Sequence, residues 1–180
     1  MEKQDYADIN RAWNVAFGAL LKPGFLLSVV DAAGKPNAMT IAWGFFGHAW
    51  GRTVVTIMVR PSRYSYHMLR EVPEFTLNVP GPGLEAAVEF CGTKSGRDLD
   101  KLAACSLTPV PGRLVRSPAL AECIMHFECR CVHENYLVPQ DLDPDLIKPW
   151  YPQGDYHRFF FGEIVAAYGV PHPEALLGRL

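Results

Sequence analysis

Between residues 123 and 132 the chain reads CIMHFECRCV, and no other stretch limits its fold as tightly. Cys123, Met125, Phe127, Cys129 and Cys131 share one parity, while His126, Glu128 and Arg130 hold the other. Side chains alternate across a strand with a period of two, so the pattern specifies a β-strand with one apolar face. The apolar parity belongs in a core. Cys129 and Cys131 are therefore expected as core residues rather than a metal-binding pair, because unpaired cysteine is among the most buried residue types. The opposite parity faces water, which makes His126 a solvated surface histidine.

Such a strand needs partners, and the chain supplies them. FLLSVVD reads as a buried strand, and AAGKPN as the turn into a second, AMTIAW. Residues 53–60 form a third, rich in β-branched residues. EFTLNV is bounded by Pro73 and Pro80, and HRFFFGEIVAAYG is the last strand. GFFGHAWG, punctuated by Gly44, Gly47 and Gly51, reads as a loop between strands. Ile9, Ala12, Trp13, Ala16, Phe17 and Leu20 recur at helical spacing and predict a helix over 8–20, ended by Pro23-Gly24. Shorter helices are expected in HMLREV, in LEAAVEFCG with Gly92 as its stop, and in DLDKLAAC, followed by a connector from Ser106 to Pro118. The fold class is mainly β with helical insertions, a β-barrel in a single domain over residues 1–180. A chain of this length buries roughly 70% of its unfolded surface and holds a core without staples.

Charge and cysteine usage exclude several classes. The net charge is −2 with no long run of either sign, which argues against a nucleic-acid binder with a basic stripe. No run of about 18 apolar residues is present to span a membrane. The first residues, MEKQDYADINRAW, lack the apolar centre of a signal peptide, and five cysteines make an odd count, so a cytoplasmic location with reduced thiols is the expectation. Trp13, Trp43, Trp50 and Trp150 are read as packing residues rather than a stacking platform for single-stranded nucleic acid. The G-x-G-x-x-G fingerprint, the G-x-S-x-G elbow and the H-E-x-x-H zinc motif are all missing.

Two donor-rich segments remain. RPSRYSY, residues 60–66, follows a strand and offers Ser62 as an N-cap, with Arg60 and Arg63 beside it. A helix N-terminus with nearby guanidinium groups suits a phosphate, and an ordinary capped turn with solvated arginines explains the same residues. CGTKSGRDLDK, residues 91–101, places Thr93, Lys94, Ser95 and Arg97 between Gly92 and Gly96. It reads as an anion-cradling loop, or as a polar connection in which Asp98 caps the next helix.

Taken in order, NAMTIAWG, VRPSRYSY, EFTLNVP, CGTKSGRDLDKL and DLDP…YPQGDYHRFFFGEIV resemble the flavin reductase-like, flavoredoxin-type family over about residues 24–165. The resemblance implies a split β-barrel that binds FMN, as a homodimer. It implies that Met39, Thr40, Ile41 and Ala42 lie along the isoalloxazine ring, within the segment Asn37–Trp43. It further implies that Arg60, Ser62, Arg63, Tyr64 and Ser65 hold the phosphate and ribityl chain. Asn78, Cys91, Gly92, Thr93, Ser95 and Gly96 complete the pocket, with Arg97, Asp98 and Lys101 nearby. His157 matches a family histidine beside the flavin or nicotinamide and is the candidate catalytic residue, although packing at a strand start explains it equally. Family members often carry serine where Ala42 stands and threonine where Ser65 stands. The implied activity is flavin reduction by NADH or NADPH. The alternatives are an electron carrier that serves a redox protein partner, and a non-catalytic FMN-binding barrel.

Overall fold

A computed structural model describes residues 2–177. Its centre is one antiparallel sheet. In chain order the elements are β1 (Gln4–Asp5), α1 (Ile9–Leu21), β2 (Phe25–Val30), β3 (Pro36–Ile41), β4 (Gly44–Ala49), β5 (Arg52–Val59), α2 (Tyr64–Glu71), β6 (Glu74–Val79), α3 (Glu85–Thr93) and α4 (Lys101–Ala104). They continue as β7 (Pro109–Val110), β8 (Ala119–Leu120), β9 (Met125–Tyr136), a 3₁₀ turn (Pro139–Asp141), α5 (Pro144–Trp150), β10 (Arg158–Gly169) and α6 (Glu174–Leu177). The strands lie in the order β3-β2-β6-β9-β10-β5-β4, with β1 added to the far end of β10 and β7-β8 as a separate ribbon. The sheet curls until β3 approaches β5, although these two strands are not paired. This is the expected mainly β fold with helical insertions.

Burial explains the strands. FLLSVV is buried at every position because β2 is covered on both faces, as a continuous apolar run requires. One face carries the main core, where Trp13 of α1 stacks on Phe46 at 5.0 Å and meets Phe25 and Phe127 edge-on. On the other, Leu26 and Ala38 pack against Ala87, Val88, Cys91 and Leu102 of α3 and α4. α1 starts where the Asp8 carboxylate accepts from the Arg11 amide at 3.0 Å. β10 is long enough to serve β9, β5 and β1 because two register shifts, at Phe161/Gly162 and Ile164/Ala166, let it bend.

Several local expectations are corrected. GFFGHAWG is a strand: β4 forms a hairpin with β5, closed by Trp50 and Gly51 at φ 54° and 70°, the handedness of tight hairpin turns. α3 runs past Gly92 to Thr93, and Asp100, not Asp98, caps α4 by accepting from the Ala103 amide. α2 begins at Tyr64 with Arg63 as its cap residue, and Ser62 does not cap it. Trp50 and Trp150, 63% and 49% exposed, pack at the surface rather than in the core, on Phe161 and Trp43.

The largest correction concerns the polar face of β9. His126 and Glu128 are fully buried, because the connector carrying β7 and β8 folds over them. Glu128 accepts the Arg113 and Leu114 amides at 2.7 and 2.6 Å and the Tyr168 hydroxyl at 2.8 Å. The Asn78 carbonyl oxygen accepts the Leu120 amide at 2.9 Å and also meets His126 Nδ1 at 2.8 Å. An amide oxygen only accepts, so His126 carries its proton on Nδ1 and takes the Lys3 ammonium at Nε2, 2.7 Å away. Burial, with Lys3 and Arg113 nearby, pushes the His126 pKa down to about 3 and keeps the ring neutral.

Candidate functional site

Two hollows open where β3, β5, the start of α2 and the loop after α3 converge. The first encloses about 180 Å³ and is bordered by polar and cationic groups. The second, of about 280 Å³, has an aromatic and aliphatic wall. Met39 and Arg63 line both, so the two form one cleft.

The polar hollow is built from three chain segments. β3 contributes Asn37, whose amide donates to Ser65 Oγ at 2.9 Å. The Ser65 hydroxyl accepts that bond and keeps its own proton for a further acceptor. The turn before α2 contributes Arg63, which donates to the Gly92 carbonyl at 2.6 Å, and the first turn of α2 contributes Tyr64. The end of α3 contributes Thr93, the loop after it Lys94, Ser95, Gly96 and Arg97, and α4 contributes Lys101. Gly96 is required there: a Cβ would overlap the Asn37 amide and lie 3.1 Å from the Tyr64 ring. Lys101 is buried and donates to the Cys91 carbonyl at 3.0 Å. Burial, reinforced by Arg63, draws its pKa down to about 8, although the Cys91 and Cys105 thiols pull the other way. Four cationic side chains thus border a small hollow, the donor set of an anion site.

The ring-sized hollow is lined along one side by Met39, Thr40, Ile41, Ala42 and Trp43. Met58 and Arg60 come from the end of β5 and Gly92 from α3. Trp150, at the end of α5, and His157, just before β10, close the far side. Trp43 meets Trp150 edge-on at 4.8 Å and leans against His157 at 5.0 Å. His157 is hydrogen-bonded through Nδ1 to the Tyr151 hydroxyl at 2.7 Å, and burial followed by the Arg60 charge lowers its pKa to about 4. The Thr40 hydroxyl is taken by the Val88 carbonyl, so it is fixed away from ligand bonding.

The segment carrying Trp150 and His157 is strapped to the RPSR turn. Arg60 donates to the Trp150 and Asp155 carbonyls at 2.8 and 3.3 Å. The Asp155 carboxylate accepts the Ser62 amide at 3.1 Å and the Ser62 hydroxyl at 2.6 Å. Of the residues named from the sequence, the cleft therefore gathers Met39, Thr40, Ile41, Ala42, Arg60, Arg63, Tyr64, Ser65, Gly92, Thr93, Ser95, Gly96, Arg97, Lys101 and His157. Ser62 borders it with its donors already engaged. Asn78 lies outside it, fully buried in the His126 network, and the Cys91 side chain belongs to the core beneath α3. Sequence reasoning missed Met58, Trp150 and Asp155. Met58 was recoverable, since strand parity puts it on the face of Arg60. Among the described residues no cluster of His, Cys, Asp and Glu is arranged to hold a metal ion, and no helix is long and apolar enough to cross a membrane.

The sequence profile of the flavin reductase like domain matches residues 17–178. The chain belongs to that family. It is 33% identical over 106 residues to an uncharacterized protein of Archaeoglobus fulgidus, an alignment that covers 59% of each chain. The chain thus spans less than two thirds of that relative's length. Among solved structures it resembles the flavoredoxin of Desulfovibrio vulgaris (27% identity, TM-score 0.66, covering 83% of this chain and 70% of that one). It also resembles the flavoredoxin of Methanosarcina acetivorans (28% identity, TM-score 0.65, covering 82% and 68%).

Proposed function

We propose that the cleft binds FMN and that the protein is a flavin-dependent oxidoreductase that uses NADH or NADPH to reduce it. One observation carries this reading: a cationic hollow and a ring-sized hollow share Met39 and Arg63, so a single ligand with a phosphate at one end and a planar ring at the other fills both. The donor set agrees with that ligand. Arg63, Arg97, Lys94 and Lys101 match a phosphate dianion, the Ser65 hydroxyl adds a directional bond, and Gly96 supplies the close backbone approach.

The bound flavin supplies hydride and electron chemistry. The chain's residues do the rest. The backbone from Met39 to Trp43 flanks one edge of the ring hollow, and the Arg60 guanidinium sets positive charge at its end, where it stabilises negative charge that gathers on the ring. Trp43, Trp150 and His157 restrict water at the far side. His157, neutral at pH 7 with its Nδ1 engaged by Tyr151, acts there as a hydrogen-bonding wall rather than a cation.

The likeness to two flavoredoxins favours a second reading, an FMN-containing electron carrier served by a redox protein partner. The exposed aromatics Phe45, Trp50 and Tyr136 on the β4, β5 and β9 side support the homodimer, which light scattering at defined concentration tests. The decisive experiment is the visible spectrum of purified protein, titrated with FMN and then mixed with NADH or NADPH without oxygen. Rapid bleaching of bound flavin establishes the reductase. Bound flavin that ignores both nucleotides moves the assignment to the carrier. Protein that takes up no FMN refutes both.

A further inference from the structure

Resting on the flavin reading above, a narrower question is what stops the ligand at its first phosphate. Arg97 lines the polar hollow and is itself exposed to solvent. Its Nη1 donates to the Ser62 carbonyl at 3.0 Å, and its guanidinium carbon lies 5.4 Å from the centroid of the Tyr64 ring. Both ends of this bridge are anchored. The Arg97 amide is held by Ser95 Oγ at 3.2 Å, and Gly96 before it is wedged against Asn37 and Tyr64. Ser62, at the other end, is fixed by two hydrogen bonds to the Asp155 carboxylate.

We infer that the Arg97–Ser62 bridge closes the phosphate end of the cleft and makes Arg97 the residue that selects a flavin mononucleotide over a flavin dinucleotide. A terminal phosphate is seated with the bridge intact and gains a guanidinium at its outer side. A dinucleotide continues from that phosphate into a second phosphate and an adenosine, and its path outward runs through the bridge. Admitting it breaks the hydrogen bond to Ser62 and the stacking on Tyr64, and Asp155 beyond Ser62 sets a carboxylate beside the opening. The loss of one hydrogen bond and one cation–π contact corresponds to about tenfold in affinity.

The test is equilibrium competition. Wild type, Arg97→Ala and the shorter-reaching Arg97→Gln are dialysed against equal concentrations of FMN and FAD, and the bound flavin is released and quantified. Riboflavin, which has no phosphate, is titrated separately as a check on the ring hollow. Wild type is expected to hold FMN, and both variants to show a bound FAD-to-FMN ratio higher by about tenfold, through tighter FAD binding, with riboflavin affinity unchanged. Weaker FAD binding in the variants makes Arg97 a phosphate ligand only and overturns the proposal, as does a wild type that holds FAD as well as FMN. A wild type that binds none of the three flavins sinks the flavin reading itself, a failure plainly distinct from lost selectivity.

Discussion

Replacing Lys101 with methionine is expected to make the ligand-free protein more stable and its FMN binding weaker at the same time. Lys101 is 3% exposed, and its ammonium makes one hydrogen bond among the described residues, to a neutral carbonyl. Burial draws its pKa from 10.5 to about 8, which at about 1.4 kcal/mol per pKa unit bounds the penalty for carrying the charge at about 3 kcal/mol. Solvent in the open hollow screens part of this, leaving roughly 1–2 kcal/mol. Methionine fills similar space without the charge, so the midpoint of thermal unfolding at pH 7 rises by about 2–8 °C. The sign of the pH dependence follows. The pKa is lower in the folded chain than in the unfolded one, so the penalty is fully present below pH 8 and fades as pH rises toward 10.5. Wild-type stability therefore gains a contribution across that window which the variant lacks.

Binding has the opposite sense. A phosphate beside Lys101 favours the ammonium, so above pH 8 FMN binding takes up a proton and affinity falls, by up to about tenfold per pH unit. The second phosphate ionisation, near about pH 6, lies below this range. Titration of both proteins with FMN from pH 7 to about 9, followed by flavin fluorescence, reads the slope directly. A wild-type affinity constant across this range, or the same slope in the methionine variant, refutes the placement of Lys101 at the phosphate.

Ser62→Ala is expected to change FMN affinity by less than about threefold, because Asp155 already holds both Ser62 donors, whereas Arg63→Ala costs about 1.5–3 kcal/mol of binding by the same titration. Asn78→Leu leaves the Leu120 amide and the Nδ1–H of His126 without acceptors. It lowers stability by about 2–5 kcal/mol in urea unfolding while leaving the bound-flavin spectrum unchanged, and a spectral shift instead would return Asn78 to the site. His157, held near pKa 4, stays neutral through pH 5, so NADH oxidation shows no inflection near 6.5; an inflection there that His157→Asn abolishes would contradict a neutral wall. Stability falls with pH from 6.5 toward 4 as the unfolded chain binds the proton that buried His157 refuses, and His157→Asn removes that share.

The strands were legible because their partners are apolar on at least one parity: FLLSVV, EFTLNV and the Cys-Met-Phe parity of β9 each point to a core wherever they pair. Alternation tells which face is more apolar. It does not tell whether the other face is also covered, and that gap produced the error at His126 and Glu128, where a polar connector rather than water supplies the hydrogen bonds. Gly44, Gly47 and Gly51 suggested a loop. Gly44 in fact lies so close to the Thr56 carbonyl that only glycine lets the strand pass. Both donor-rich segments do meet at one hollow, as the 2.6 Å bond between Arg63 and Gly92, 29 residues apart in the chain, records. The engagement of Ser62 by Asp155 was invisible, since a contact across 93 residues leaves no local pattern.

The position of β10 in the sheet has a consequence for how the protein comes into being. Its twelve residues join β9 on one side and β5 on the other, yet they are synthesised after every other described strand of the sheet. Until then the sheet exists as two fragments, the β4–β5 hairpin and the run from β3 to β9, each ending in an open edge that invites wrong partners. Met39 belongs to one fragment and Met58 to the other, so the ring-sized hollow has no earlier, partial form. The seam closes only once β10 has followed the other strands, and the ligand meets a finished cleft or none. Long-range pairing of this kind folds slowly, so newly made chains that stall before residue 158 are the ones a chaperone would find.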